Sequence, residues 1–310
     1  MNNRYEINRP GKVSVIVNPA SGSPYPILRE LNAALSDIEW TIEVTRAPGD
    51  GTRMGRAAVE SGSEMVIAYG GDGTLLEVIN GMAGSRVPLL VLGGGTGNLI
   101  ASEIGLPADP AETLALLKKS PLIAETVDLG MINQSTCFIL RCGCGLEVSA
   151  LEKTSYEEKS EWGKLAYIKG MLKALSEQKP IDFKIWIDDA SEPISEKAMA
   201  ITVANAGRLG VGDLRIAPDV SMSDGYLDIC LFQETGLAAA VEFFSLITDS
   251  DSAPADLTGS SLVRRQQARK VRIETPTPVN FQADGDIVGS TPLEIELIPE
   301  AVWMVKGLPT

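Results

Sequence analysis

Three stretches of small and polar residues stand out as places where this chain could do chemistry: "NPASGS" (18–23), "GGDGT" (70–74) and "GGGTGN" (93–98). A chain that only has to turn does not need three glycines wrapped around one aspartate. Glycine lets backbone N–H groups approach phosphate oxygens, and a helix that follows points its positive end at them. Asn18, Gly70, Gly71, Gly73, Thr74 and Asn98 form the candidate phosphate-binding set, with Thr74 and Thr96 offering hydroxyl donors. Asp72 suits a phosphate poorly. It is better placed to orient Mg²⁺, directly or through water, or to set the loop through its amides. Tight strand-to-helix turns are the plain alternative, which explains one such loop more readily than three. The loops match neither the Walker A pattern nor a G-x-G-x-x-G at the first strand, so a nucleotide would be held by another scheme.

Composition narrows the chemistry. The 310 residues include no histidine, which removes a Ser-His-Asp triad, a Cys-His dyad, histidine-ligated zinc and an imidazole base together. Acid–base work would fall to carboxylates, Lys, Tyr or Cys. The spacing of Cys137, Cys142, Cys144 and Cys230 fits neither a zinc knuckle nor a thioredoxin-type pair, so they read as reduced core or strand residues. A net charge of −14 argues against nucleic acid as a partner. It leaves room for an anionic nucleotide, because a metal ion and backbone amides supply a local positive field. The start "MNNRYEINRPGK" has no apolar core for a secretory signal, and no apolar run is long enough to span a membrane. The expected location is cytoplasmic.

The elements that would position these loops alternate. "VSVIVNP" (13–19), "WTIEVTRA" (40–47), "EMVIAY" (64–69) and "VPLLVL" (87–92) read as strands. The last two are continuous apolar runs, as in strands buried on both faces. "PILRELNAALSD" (26–37), "GTRMGRAAVESG" (51–62) and "TLLEVINGMAG" read as helices between them. This alternation predicts an α/β domain with a parallel sheet over residues 1–125, its loops sharing the carboxyl edge where open sheets bind ligands. From "AETVDLGMIN" the texture becomes a series of close β-rich runs, broken by helical segments at 161–178 and 236–249 and a polar loop at 249–261. A mostly antiparallel second domain is expected over 126–300, with 301–310 as a segment that could return to the first. Leu237, Val241 and Phe244 have the spacing of a core helix face rather than a lipid pocket. "RRQQARKVR" (264–272) is the one basic cluster, either a solvated strand entrance or a contact for anionic lipid headgroups.

"VNPASG", "GGDGTLLEVINGM", "LGGGTGNLIASEIGLP", "DGYLDICLF" and "DGDIVGSTPLEIELIP" occur in this order and at these spacings, and nearly the whole chain thereby resembles the bacterial diacylglycerol kinase catalytic-domain family. These are soluble lipid kinases related to sphingosine and ceramide kinases, and more remotely to NAD kinases and phosphofructokinases. The resemblance implies an NAD kinase/phosphofructokinase-like α/β domain, a β-sandwich-like second domain, and ATP in the cleft between them. It implies that Gly70, Gly71, Asp72, Gly73, Thr74, Leu75 and Leu76 hold the phosphates and that Thr45 and Thr96 contact the nucleotide. It implies a Mg²⁺ site from the Asp224 side chain and main-chain carbonyls, engaging Ser221, Asp224 and Tyr226, and a catalytic carboxylate at Asp286. The implied acceptor is a lipid hydroxyl such as that of diacylglycerol, presented at a membrane surface. Peripheral membrane attachment and a homodimer stay open.

Three positions depart from the family pattern. Asp286 stands where Glu is usual, Leu99 where many relatives carry an acid, and Ser23 where some carry a Lys. Read alone, Asp284-Gly285 between β-rich runs is also an ordinary hairpin turn. A kinase of a soluble alcohol such as NAD, and a nucleotide-binding regulator without catalysis, are the competing functions.

Overall fold

The computed structural model describes residues 3–22, 25–118, 121–145, 180–209, 215–233 and 263–307. The helices expected at 161–178 and 236–249, the loop at 249–261, the face Leu237, Val241 and Phe244, and Ser23 lie outside the described residues. Two compact units divide the chain: Met1–Asp128 with Pro299–Thr310, and Leu129–Ile298.

The first unit opens with a short strand, β1 (Arg4–Ile7). It then alternates β2 (Lys12–Val17), α1 (Ile27–Ala34), β3 (Glu39–Val44), α2 (Asp50–Glu60), β4 (Met65–Gly70), α3 (Asp72–Met82) and β5 (Leu89–Gly93). The parallel strands stand in the order β3-β2-β4-β5. All six residues of β4 are buried, which is why it reads as an unbroken apolar run. The helices bury one stripe each: Ile27, Leu31 and Ala34 on α1, and Leu75, Val78, Ile79 and Met82 on α3. Those four α3 side chains contribute roughly 6–12 kcal/mol of gross burial before conformational entropy is subtracted. Glycines bring α2 and α3 together. A Cβ at Gly55 would lie 2.8 Å from the Val78 carbonyl oxygen, and one at Gly81 only 2.2 Å from that of Thr52. Two short helices follow, α4 (Leu99–Glu103) and α5 (Pro110–Ala115).

The chain leaves this unit within β6 (Leu122–Ile132) and re-enters it within the last strand, β17 (Leu293–Val305). The C-terminal end of β17 pairs parallel to β5, with Met304 opposite Leu89. β1 pairs antiparallel to β6, and Tyr5 meets Trp303 edge-on at 4.6 Å between ring centroids.

The second unit carries β7 (Thr136–Phe138), β8 (Arg141–Cys144), β9 (Ile181–Ile187), β10 (Ile194–Ala198), β11 (Ala200–Ala204) and β12 (Leu227–Phe232). It continues with β13 (Val263–Ala268), β14 (Lys270–Glu274), β15 (Asn280–Ala283) and β16 (Asp286–Ser290). One antiparallel array runs β13-β12-β11-β8-β15-β16, and another runs β10-β9-β14-β17. Their inner faces share one core. Cys142, Ile201, Val203, Ile229 and Phe281 come from the first array, and Phe183, Ile185, Val271, Ile273 and Ile295 from the second. The period of two is clear on β17, where Leu293, Ile295 and Leu297 are buried and Glu294 and Glu296 are exposed. The fold is thus the expected α/β parallel-sheet domain with an antiparallel β-sandwich. The four cysteines are unbridged, with Cys142, Cys144 and Cys230 buried and Cys137 half-buried. Among the described residues no helix is long and apolar enough to cross a membrane.

Candidate active site

Strand register sets the glycine loops side by side. Val17 lies opposite Val44 and Tyr69, and Gly70 opposite Gly93. The chain therefore leaves β2, β3, β4 and β5 at one edge, carrying Asn18, Thr45, Gly71 and Gly94 to it. Thr45 N–H donates back to the Val17 carbonyl at 2.9 Å, Asn18 N–H to that of Tyr69 at 2.9 Å, and Gly94 N–H to that of Gly70 at 2.9 Å.

Side chains tie the loops further. Asn18 Nδ2 donates to Thr74 Oγ1 at 2.7 Å, while Asn18 Oδ1 accepts from Ala20 N–H at 3.0 Å. Thr74 is the acceptor in that bond, so its own hydroxyl proton is left to donate. Asp72 takes the loop-setting role. Its carboxylate accepts the Leu99 and Ile100 amides at 3.1 and 3.0 Å, capping the start of α4. Asn98 occupies the left-handed region at φ 49° and accepts from Gly95 N–H at 2.8 Å. Leu75 is fully buried and belongs to the core; Leu76 is half-buried and Thr96 exposed.

Several of the glycines answer to other parts of the protein. A Cβ at Gly22 would lie 1.8 Å from the Gly94 carbonyl oxygen, and one at Gly95 would lie 2.8 Å from Gly71 Cα. Gly73 is different. It is exposed in the first turn of α3, and a Cβ built there meets nothing within 4 Å. The first amides of a helix lack intrahelical partners and carry its positive end. Open space beside them, with the Thr74 hydroxyl in the same turn, is suited to an anion.

In the second unit the late Asp-Gly-Asp forms the tip of the β15–β16 hairpin. Asp284 and Gly285 have φ of 47° and 97°, both positive, as a two-residue type I′ turn requires. The hairpin reading thus holds for the backbone. The two aspartates differ sharply. Asp284 turns inward and accepts three amides, Ile139 at 2.7 Å, Leu140 at 3.1 Å and Arg141 at 3.0 Å. Asp286 is exposed, and among the described residues no hydrogen bond holds its side chain.

Burial pushes the Asp284 carboxyl up to about 6, against the lowering pull of those amides and of the Arg141 charge. A carboxyl raised on folding holds its proton more tightly in the folded chain. Its contribution to stability is therefore full below about pH 4, the ordinary carboxyl range, and lost as pH rises through about 6. Denaturant titrations should show the parent losing stability relative to Asp284→Asn across that window. A pH-independent difference would contradict this.

Ser221, Asp224 and Tyr226 stand in the turn that leads into β12. Tyr226 N–H donates to Asp224 Oδ1 at 3.0 Å, and Gln267 Nε2 lies 3.5 Å from Asp224 Oδ2. Gly225 sits at φ 78°, and Ser223 N–H lies 3.3 Å from Ser221 Oγ. Among the described residues no cluster of three or more Cys, Asp or Glu is arranged to hold a metal. One carboxylate with flanking main-chain carbonyls is nonetheless an all-oxygen set, which fits a hard cation that keeps several waters. The residues present therefore fit Mg²⁺ in kind.

Sequence reasoning missed the inward role of Asp284 and the partners of the basic segment. It also missed Glu77, whose carboxylate accepts the Gly49 and Gly51 amides at 2.8 and 2.9 Å where α2 begins. The Asp-Gly pair was the available signal for Asp284; its amide partners lie some 140 residues earlier in the chain.

Comparison with known proteins accords with this geometry. The family model of the diacylglycerol kinase catalytic domain matches residues 12–132, and that of the YegS C-terminal NAD kinase beta sandwich-like domain matches residues 142–306. The chain is similar to a diacylglycerol kinase of Mycobacterium tuberculosis, 28% identical over 98% of this chain and 96% of that protein. It is also similar to a protein of Enterobacter sp. (strain 638) named "Probable lipid kinase YegS-like", 28% identical over 93% of this chain and 94% of the other. A crystal structure from Bacillus anthracis strain Sterne is 26% identical with a TM-score of 0.74, covering 97% of this chain and 98% of that one. This chain belongs to the diacylglycerol kinase catalytic-domain family of lipid kinases, with a YegS-type β-sandwich as its second module.

Proposed function

We propose that the chain transfers the γ-phosphoryl group of ATP to the hydroxyl of a lipid such as diacylglycerol, with Mg²⁺ and with Asp286 as the general base. The observation that carries this reading is the open face of Gly73 at the start of α3, beside loops that other residues hold fixed. Phosphate oxygens there would meet the Gly73 and Thr74 amides, the Thr74 hydroxyl and the positive end of a helix. Asn18 and Asp72 hold the loops in shape, while Thr45 and Thr96 present hydroxyls at the same edge.

The acceptor oxygen attacks the γ-phosphorus, its proton passes to the Asp286 carboxylate, and the bond to the β-phosphate oxygen breaks to release ADP. With no histidine in the chain, a carboxylate is the natural proton acceptor. Mg²⁺ would offset phosphate charge in the transfer, and Asp224 with the carbonyls of Ser221 and Tyr226 would hold a Mg²⁺ that supports the structure around that turn. Leu99 supplies no acid at the start of α4, but the Asp72 carboxylate lies against its amide.

Labelled ATP offered with diacylglycerol, other lipids in mixed micelles, and soluble alcohols including NAD tests the proposal. Label is expected in a lipid acceptor and to depend on Mg²⁺. Label in NAD alone would favour the soluble-alcohol kinase. ATP binding without transfer to any acceptor would favour a regulator.

A further inference from the structure

The basic segment 264–272 has a use that neither solvation nor lipid contact explains. Residues 265, 267 and 269 alternate along β13 and its exit, and so point to one face. All three reach the same turn or the residues that flank it. Arg265 Nε donates to Asp228 Oδ1 at 2.6 Å, and Arg265 also pairs with Asp219. These carboxylates bracket the turn on either side. Gln267 reaches Asp224. Arg269 Nε donates to the Gly225 carbonyl at 3.2 Å, and its guanidinium lies 5.1 Å over the Tyr226 ring. The backbone of Arg269 is pinned in turn, because Asp188 Oδ1 accepts the amides of Arg269 and Lys270 at 2.8 and 2.9 Å. The other arginines of the segment are engaged elsewhere, Arg264 with Glu196 and Arg272 with Glu274.

We propose that Arg269 is the positioning residue of the cation-binding turn 221–226, whose flanks Arg265 holds through Asp219 and Asp228. It fixes the Gly225 peptide and the Tyr226 ring, and thereby aims the Asp224 carboxylate and the Tyr226 carbonyl at one point. The inference rests on the proposed Mg²⁺ reading of that turn and adds what shapes it. Sign makes it testable. A guanidinium beside a cation site repels the cation, so charge alone predicts tighter binding when Arg269 is removed. Positioning predicts the opposite.

The experiment uses the full chain without nucleotide and counts bound Mn²⁺ from the electron paramagnetic resonance signal of the free ion. The parent is expected to bind Mn²⁺ at a site abolished by Asp224→Ala. Arg269→Met should weaken that site about tenfold, as loss of an outer-shell partner does. Arg269→Lys should stay weak, because an ammonium reproduces neither the planar stacking nor the fork. Arg269 is exposed, so both variants should keep the parental melting temperature. Arg265→Met is the poorer probe, since it strands the buried Asp228 carboxylate. Parental or tighter Mn²⁺ binding in folded Arg269→Met overturns the positioning role while leaving the cation reading intact. A parent that binds no Mn²⁺, or binding that survives Asp224→Ala, overturns both.

Discussion

Asp286→Asn should lower turnover by about 10²–10⁴-fold, the usual worth of a positioned base, with ATP affinity hardly changed. The substitution keeps the shape of the side chain and removes its basicity. The hairpin gives the two neighbouring aspartates different surroundings. Asp284 is engaged with three amides and shapes the turn, so its replacement acts on the fold. Asp286 opens β16 exposed, with no hydrogen bond to hold it among the described residues, and is free to meet a substrate hydroxyl. Asp286→Glu keeps a carboxylate on a longer side chain and should retain measurable activity. Steady-state kinetics beside calorimetry of ATP binding checks this. Near-parental turnover in Asp286→Asn, with Asp284→Asn folded but dead, would move the base to Asp284. If neither change alters turnover, the proton leaves by another group.

What could be read from the sequence followed burial. β2, β4 and β5 announce themselves because their residues are buried in runs, and α1 and α3 because they bury one stripe each. β1 ("RYEI") and β10 ("ISEKA") escaped notice because most of their side chains are at least partly exposed, and partner strands make them extended. β13 ("VRRQQA") reads in sequence only as a basic cluster, since its arginines answer to carboxylates on other strands, Arg264 to Glu196 and Arg265 to Asp228. The glycine loops were legible as a candidate site but not in their division of labour. A ligand and a neighbouring loop both demand glycine, and only the fold tells them apart. Gly22 gives way to Gly94, and Gly95 to Gly71, across long stretches of chain. Asp72 shows the same limit, because its amide partners lie 27 and 28 residues away.

That division of labour makes Gly73→Val the sharpest test of the nucleotide site. Valine at Gly95 would fail for a trivial reason, since its Cβ would collide with Gly71 Cα at 2.8 Å. At Gly73 the protein itself offers no obstacle, for nothing lies within 4 Å of the added Cβ. The backbone there is helical, so the change costs a few tenths of a kcal/mol of propensity at most, and glycine was already the poorer helix former. The variant should therefore fold with a near-parental melting temperature. Its branched side chain would fill the space at the α3 start where the proposed phosphate would approach the amides. Losing two charge-assisted hydrogen bonds at about 1.5–3 kcal/mol each corresponds to a loss of ATP affinity of about 10²–10⁴-fold. Gly73→Ala, which adds one methyl group into the same space, should fall between the two. Calorimetry on the folded proteins is the measurement. Unchanged ATP affinity in folded Gly73→Val would mean that the open face of α3 is not where the phosphates lie.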